Sequence, residues 1–191
     1  MYRLFFIRFE TAFIAAAFVL ALPIAGVAGE KLKDRSPDGQ FAMSLKDEAD
    51  HEVSITLVET KTHKFVQKLS DSGHPYSDGA RILWSPDSKR FAYSEENRKG
   101  KLTQLYIRKD SSFEDVELPD LPECDHPGLD GNIFSFLTPK SWAKPDTLVL
   151  FAHDEWSTED SKAHECDRTV TIAIDSSGKA SIQSIQENKK K

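Results

Sequence analysis

Two short stretches of the sequence bring together residue types that can form a cross-link or bind a metal ion. Residues 123–126 read Glu-Cys-Asp-His and residues 164–167 read His-Glu-Cys-Asp, and they contain both cysteines of the chain. In an oxidising compartment this pattern predicts a Cys124–Cys166 disulfide that ties two irregular segments together. The Cys-x-His and His-x-Cys spacing is not the usual zinc-finger spacing. The alternative is a zinc site of two thiolates and two imidazoles, formed by Cys124, His126, His164 and Cys166.

A third stretch, at residues 153–156, reads His-Asp-Glu-Trp and opens an acid-rich segment to residue 167 that is predicted to be a polar loop. Its carboxylates suit a cation or a basic partner, although the ordered spacing and glycine bend of a calcium loop are missing. A solvated surface hairpin is the simpler explanation of these acids. Because tryptophan is enriched at binding hot spots, we predict a binding surface formed by His153, Asp154, Glu155 and Trp156.

Three histidines leave an enzyme open as an alternative. His126, His153 and His164 could act as general bases or metal ligands, which would make the chain a small metal-dependent or histidine-based hydrolase. However, no serine or cysteine stands beside a histidine in a recognisable nucleophile arrangement, and the sequence contains no Gly-x-Ser-x-Gly motif. The sequence therefore predicts no catalytic residue and no cofactor.

The N-terminus predicts export. Arg3 and Arg8 precede an apolar run at residues 11–22, Pro23 ends the run, and small residues follow at positions 26–29. This order is typical of a secretory signal peptide, which we assign to residues 1–29. An uncleaved membrane anchor is the alternative, but the purely apolar run is shorter than the roughly 20 residues that span a bilayer. We therefore expect a periplasmic or extracellular protein.

The charge balance narrows the class of partner. The chain carries 31 acidic and 25 basic residues, for a formal net charge of −6. This argues against nucleic acid and against an anionic membrane surface as partners. Only the tail, at residues 187–191, is a basic cluster. Because no second apolar span follows the signal, no membrane contact is expected after its cleavage.

The elements that must position these residues follow a repeated turn. Residues 36–44 read Ser-Pro-Asp-Gly-Gln-Phe-Ala-Met-Ser, and residues 85–94 read Ser-Pro-Asp-Ser-Lys-Arg-Phe-Ala-Tyr-Ser about 50 residues later. Residues 142–152 carry a weaker copy that begins Trp-Ala-Lys-Pro-Asp. Proline and aspartate favour a turn, and Gly39 or Ser88 then lets the chain reverse into a strand.

Alternating strands are predicted after each copy of the turn. In the best copy, Phe91 and Tyr93 are expected on one face of a strand and Ala92 on the other. The sequence predicts an all-β protein built from antiparallel meander repeats, with a β-sandwich or barrel as the alternative. One β-repeat domain is assigned to residues 30–186. Its three repeats are placed at about residues 30–71, 76–120 and 133–186.

The Trp-x-Pro-Asp turn and its Phe-Ala strand, as in residues 84–94, resemble the blade repeat of TolB-like, or WD40-like, β-propellers. Of the three copies, one is close to the consensus, one lacks the tryptophan and one is divergent. The resemblance implies a partial or small propeller-like array. Because propellers usually close with four to eight blades, three closures stay open: a homodimeric ring, an open array covered by loops, or a barrel-like or sandwich closure.

Taken together, these features predict an exported, noncatalytic binding module that recognises a protein or peptide partner through loops at the blade ends. This expectation rests partly on analogy of fold, which is a weak guide to function. The hydrolase described above is one alternative. A structural subunit that assembles into a larger ring is the other.

Overall fold

The computed structural model describes residues 29–47, 53–70, 79–97, 100–122, 124–130 and 133–188. The predicted signal peptide lies outside these residues except for its last position, and so does most of the basic tail. Within the described ranges, no helix has the length and apolar character needed to cross a membrane.

The described residues form twelve β-strands in three four-stranded sheets, and neighbouring strands within each sheet are antiparallel. Each sheet is a meander, because its strands pair in the order in which they follow along the chain. The first sheet consists of β1 (Glu30–Lys33), β2 (Phe41–Asp47), β3 (Val53–Glu59) and β4 (Phe65–Lys68).

The second and third sheets are joined at one edge. The second sheet consists of β5 (Arg81–Trp84), β6 (Arg90–Asn97), β7 (Gly100–Lys109) and β8 (Ser112–Val116). The third consists of β9 (Phe134–Lys144), β10 (Thr147–Ser157), β11 (Ala163–Ile174) and β12 (Ala180–Glu187). A short parallel pairing links β7 to β9, with Gly100 opposite Ser135 and Lys101 opposite Phe136. The described strands do not close into a barrel, and the predicted all-β meander is confirmed.

The first two copies of the repeated turn are held by the same hydrogen bonds. The Ser36 hydroxyl accepts from the Phe41 N–H at 3.0 Å, and the Ser85 hydroxyl accepts from the Arg90 N–H at 2.9 Å. Each bond joins the first residue of the turn to the first residue of the strand that follows it. The serine before each proline therefore fixes the position at which β2 and β6 begin.

The fourth residue of each turn has a left-handed backbone conformation. Gly39 has a φ of 69° and Ser88 a φ of 58°. Glycine adopts this region without a steric cost, whereas serine does not. The Ser88 hydroxyl has a compensating role, since it accepts a hydrogen bond from the Asp38 N–H of the neighbouring turn at 3.0 Å.

The tryptophans of the repeat tie each sheet to the preceding one. Trp84 Nε1 donates to the Asp34 carbonyl at 2.7 Å, and Trp142 Nε1 donates to the Leu83 carbonyl at 3.0 Å. In each case the acceptor lies one repeat earlier in the chain. The three sheets therefore stack through the same type of bond at both junctions, which is compatible with a propeller-like arrangement.

The core lies in two layers on either side of the second sheet. Phe91 and Tyr93 pack in a cluster with residues of the first sheet such as Met43, and all three are almost completely buried. Ala92 belongs to the other cluster, which includes Leu148 and other side chains of the third sheet. The predicted alternation along β6 is confirmed, and the second sheet is covered on both faces.

Candidate functional site

The residues predicted to form a binding surface lie at one end of the third sheet. The expectation of a polar loop from residue 154 to residue 167 was wrong. β10 continues to Ser157 and β11 begins at Ala163, so only residues 158–162 connect the two strands. Glu155, Glu165 and Asp167 lie on the outer face of the two strands, whereas Asp154 points inward, a division that the alternation of paired strands produces.

The alternation of β10 places the four predicted residues on two faces. Asp154 and Trp156 point inward and are 7% and 6% exposed. Glu155 is exposed and His153 is partly buried on the opposite face. The structure therefore brings Asp154 together with Trp156, and His153 together with Glu155, rather than joining all four on one surface.

The predicted disulfide is present. Cys124 and Cys166 are joined at an S–S distance of 2.00 Å across a sequence separation of 42 residues. The bond fastens the segment between β8 and β9 onto β11. Because both sulfurs are used, no thiolate remains for the alternative zinc site with His126 and His164. The disulfide is compatible with an oxidising, exported location.

A buried ion pair lies beside the disulfide. The Arg168 Nη2 donates to Asp154 Oδ2 at 2.8 Å, and the two side chains are only 7% and 10% exposed. The Ser135 hydroxyl donates to Asp154 Oδ1 at 2.7 Å. Arg168 Nη1 donates to the Pro122 carbonyl. Burying two charges costs several kcal/mol per ion, so hydrogen bonds of this kind are needed to retain the pair.

Aromatic contacts hold His126 close to Asp154. The His126 ring meets the Trp156 ring edge-on with the ring centres 4.7 Å apart, and Trp156 stacks on His164 at 5.5 Å. His126 Nε2 lies 4.0 Å from Asp154 Oδ2, which is too far for a hydrogen bond. The two histidines of the cysteine-containing stretches thus both pack against Trp156.

Three buried nitrogen atoms in this cluster have no hydrogen-bond partner in the structure: His126 Nε2, Trp156 Nε1 and Arg168 Nε. Leaving a buried donor unpaired costs about 1 to 3 kcal/mol. Nearly all buried polar atoms in native proteins are paired, so three exceptions in one cluster call for an explanation. The arrangement can offer hydrogen bonds to a ligand without first breaking any.

A cavity of about 280 Å³ lies at the β7–β9 junction, directly beside the ion pair. We call it the junction cavity. Its polar side is formed by His126, Ser135, Asp154 and Arg168, and its apolar side includes Leu102, Leu121, Ile133, Phe136 and Leu137. Apolar walls with a few convergent polar groups are typical of ligand sites.

A second polar cluster lies on the opposite face of β10 and β11. His153 Nδ1 lies 2.5 Å from Asp167 Oδ1, and His153 Nε2 lies 2.8 Å from Glu155 Oε1. Partial burial alone would lower the pKa of His153, but the hydrogen bonds to the two carboxylates outweigh it and raise the pKa above its ordinary value. The two carboxylates therefore favour the protonated form of the His153 ring.

The same cluster has some of the geometry of a metal site. Ligand atoms of His153, Glu165 and Asp167 all lie within 4.8 Å of one another. A metal ion prefers neutral imidazole with an available ring nitrogen. Both ring nitrogens of His153 already contact carboxylates, so binding a metal would first require breaking one of these contacts.

Ser135, Asp154 and His126 are the residue types of a catalytic triad, but their contacts follow the wrong order. Ser135 donates to Asp154, not to His126, and the second oxygen of Asp154 is taken by Arg168. In a triad the histidine must accept the serine proton. In the part of the chain that the structure describes, this set therefore contains no activated nucleophile.

The sequence reasoning missed Arg168 and Ser135. A signal for Arg168 exists, because it stands two and four residues before the inward-facing Val170 and Ile172 of β11. A charged residue in the apolar phase of a strand requires a buried partner, and Asp154 has the same phase in β10. Ser135 carries no such signal, since only the pairing of β9 with β10 brings it to Asp154.

Comparison with models of known protein families and with curated proteins found no match to this chain. The likeness to TolB-like repeats therefore rests on the turn motif quoted above. The geometry of the described residues supports the coarser statement, that three antiparallel four-stranded sheets stack in chain order.

Proposed function

We propose that the protein is an exported, noncatalytic binding module that recognises a protein or peptide partner at the junction cavity. The repeated turns and the stacked sheets support a TolB-like array in which blade-end segments carry the recognition. The Cys124–Cys166 disulfide supports export, since such bonds persist in oxidising compartments. It also fastens the segment that supplies His126 to the cavity.

The observation that carries this proposal is a group of exposed apolar side chains at the end of the molecule that holds the cavity, two of which line it. Among the described residues, five large apolar side chains are exposed, and four of them belong to this end of the molecule. We call these four the apolar rim: Leu102 (57% exposed), Leu129 (41%), Ile133 (37%) and Phe134 (47%). Scattered exposed apolar residues are normal, but a contiguous group marks an interaction surface.

Contacts within the fold place the rim residues near one another. Leu102 and Ile133 both line the junction cavity. Phe134 is the first residue of β9 and pairs with Glu155 near the end of β10. Leu129 bridges to Thr158, just beyond β10. A partner that inserts an apolar side chain would remove these groups from water, at about 25 cal/mol per Å² of apolar surface.

The hydrolase alternative is less well supported by this geometry. His126 has no serine or cysteine within hydrogen-bond reach among the contacts of the described residues, and His153 is held by two carboxylates. Binding without a covalent step needs only the cavity, the rim and the unpartnered donors. These three features occur together at one place.

The proposal is tested by selecting binders from random peptides displayed on phage, in one library with free C-termini and in another with internal peptides. The targets are the wild-type protein, the rim variant Leu102→Ser/Ile133→Ser, and the control Phe65→Ser. Phe65 is 59% exposed on the first sheet and lies outside the rim. We expect selected peptides to share an apolar residue and to lose at least ten-fold in affinity for the rim variant only.

Two results would overturn the proposed function. The first is that neither library yields an enriched sequence against the folded wild-type protein. The second is that selected peptides bind the rim variant as tightly as the wild type, which would place recognition elsewhere. Circular dichroism and thermal unfolding of each variant check that the fold is kept.

A further inference from the structure

We propose that the junction cavity binds the C-terminal carboxylate of a polypeptide whose last side chain is apolar. This rests on the proposed function and specifies the part of the partner that is recognised. The carboxylate would accept hydrogen bonds from Arg168 Nε and His126 Nε2, and the last side chain would contact Leu102 and Ile133. Each of these four residues lines the same cavity.

The unpartnered donors define the chemistry of the ligand group. Arg168 Nε always carries a proton and can only donate. The Nε2 of His126 donates when it carries the ring proton. Both nitrogens are buried without a partner. A group with two acceptor oxygens would satisfy both, and such hydrogen bonds are stronger when the acceptor is ionised.

The hydrogen-bonding groups left unpaired around the cavity fit an anion better than a cation. Asp154 is already matched by Arg168 Nη2 and by the Ser135 hydroxyl. A cationic ligand would face the guanidinium of Arg168 and would find its natural partner, Asp154, occupied. A carboxylate would instead accept from Arg168 Nε, which neither Asp154 nor Pro122 uses. Because one arginine then serves two carboxylates, we expect moderate affinity rather than tight binding.

The size and lining of the cavity distinguish a chain terminus from other carboxylates. At about 280 Å³ the cavity is smaller than the range typical of drug-sized ligands, about 300 to 1,000 Å³. Its polar and apolar sides adjoin, so carboxylate and apolar group must be close to each other in the ligand. A C-terminal leucine, valine or phenylalanine has this arrangement. A fatty acid requires a longer apolar channel, and an aspartate side chain has no apolar group to fill the walls.

The experiment compares matched peptides that differ only in the terminal group. The probes are N-acetyl-Ala-Ala-X peptides, with X being Leu, Ile, Val or Phe, each as the free acid and as the C-terminal amide. Binding is followed by calorimetry and by NMR signals of the Arg168 Nε–H and the His126 ring. We expect at least one free acid to bind, its amide to bind at least ten-fold more weakly, and the Arg168 Nε–H signal to shift only with the acid.

Variants separate the polar contact from general damage to the site. His126→Phe keeps a ring against Trp156 but removes the donor, and we expect it to weaken the free acid at least ten-fold while leaving the amide unchanged. Phe65→Ser, on the first sheet, should change neither. N-acetyl-leucine serves as a further probe, because binding it as tightly as the peptide acid would identify a free amino-acid derivative as the ligand and overturn the polypeptide assignment.

The outcomes keep this inference distinct from the proposed function. If amides bind as tightly as acids, or if selected peptides come from the internal library alone, the carboxylate assignment is overturned while the binding module stands. No binding of any free acid at millimolar concentration also overturns the assignment. Absence of enriched peptides in both libraries removes the proposed function itself.

Discussion

The two ends of the described sheets differ in whether the N–H groups of their tryptophans have hydrogen-bond partners. At the repeated turns, Trp84 is buried and Trp142 is partly buried, and each donates its N–H to a carbonyl of the preceding sheet. At the disulfide end, Trp156 is about as buried as Trp84, yet its N–H has no partner. His126 and Arg168 beside it each leave a nitrogen unpaired as well.

This difference separates the residues that hold the sheets together from the residues that we propose bind a ligand. The turns show that the fold can satisfy a buried indole wherever only stacking is required. Single buried atoms without a partner also occur elsewhere in the described residues, on Thr60, Gln67 and Arg90. The disulfide end differs in having three of them together, and those on His126 and Arg168 line the junction cavity. Ligand-binding sites commonly contain locally unfavourable features of this kind, and favourable interactions in the rest of the protein compensate for them.

The largest effect is expected from removing one member of the buried ion pair. Arg168→Met leaves Asp154 ionised and buried without its partner, so the free energy of unfolding should fall by about 3 to 5 kcal/mol. Denaturant titration measures this loss. Ser135 still donates to Asp154 in the variant, but one neutral hydrogen bond does not replace the guanidinium.

The double variant Asp154→Leu/Arg168→Met tests whether the pair serves stability or recognition. Replacing both charges with apolar groups is often neutral or stabilising, so we expect most of the lost stability to return. Binding of the peptide acids, which uses Arg168, should be absent in both variants. A double variant that is as unstable as Arg168→Met would mean that the pair is needed for the fold, and the contrast between the two ends would lose its basis.

The second-largest loss of stability is expected from removing the disulfide. Cys124→Ser/Cys166→Ser should lower the free energy of unfolding by about 3 kcal/mol, because the bond closes a long loop in the unfolded chain. Chemical denaturation of the variant and of the reduced wild type gives two independent measurements. A loss below about 1 kcal/mol in both would show that the segment carrying His126 is fixed by its own packing and not by the cross-link.

Much of the fold could be predicted from local patterns in the sequence. The alternation of Phe91, Ala92 and Tyr93 predicts that the first and third share one face of β6 and Ala92 lies on the other, and the clusters on the two faces of β6 confirm it. Two cysteines in one chain predicted the disulfide. The short strand β1 was not predicted, since its residues, Glu-Lys-Leu-Lys, carry little β-propensity and pair only because β2 offers an edge.

The site was harder to predict because its contacts are long-range. Asp154 and Trp156 were singled out, but composition suggested a polar loop, whereas pairing with β11 places them inside. The partners of Arg168 lie 14 residues away at Asp154 and 46 away at Pro122. No local rule in the sequence fixes such pairings. They follow only from the register of β10 and β11 and from the path of the segment before β9.

A matched pair of tryptophan substitutions measures the contrast directly. Trp84 and Trp156 are 9% and 6% exposed, so Trp→Phe removes similar packing at both positions. Trp84→Phe also leaves the Asp34 carbonyl unpaired, whereas Trp156→Phe removes a donor that has no partner. We expect Trp84→Phe to cost about 1 to 2 kcal/mol more than Trp156→Phe in thermal or chemical unfolding. Equal costs would mean that the Trp156 N–H is satisfied in solution.

The smallest effect should come from His153, on the face opposite the junction cavity. Its pKa is raised in the folded state because Asp167 and Glu155 hold the imidazolium, against the opposing effect of partial burial. The stabilisation is therefore complete below the unfolded pKa of about 6.5 and is lost as pH rises through the higher folded value. We expect it to be under about 1 kcal/mol, because solvent screens the cluster.

The difference in unfolding free energy between wild type and His153→Gln, measured from pH 5 to pH 9, should shrink as the pH rises. A difference that grows with pH would mean that the neutral ring is the form the fold prefers, and would return the cluster to consideration as a metal site.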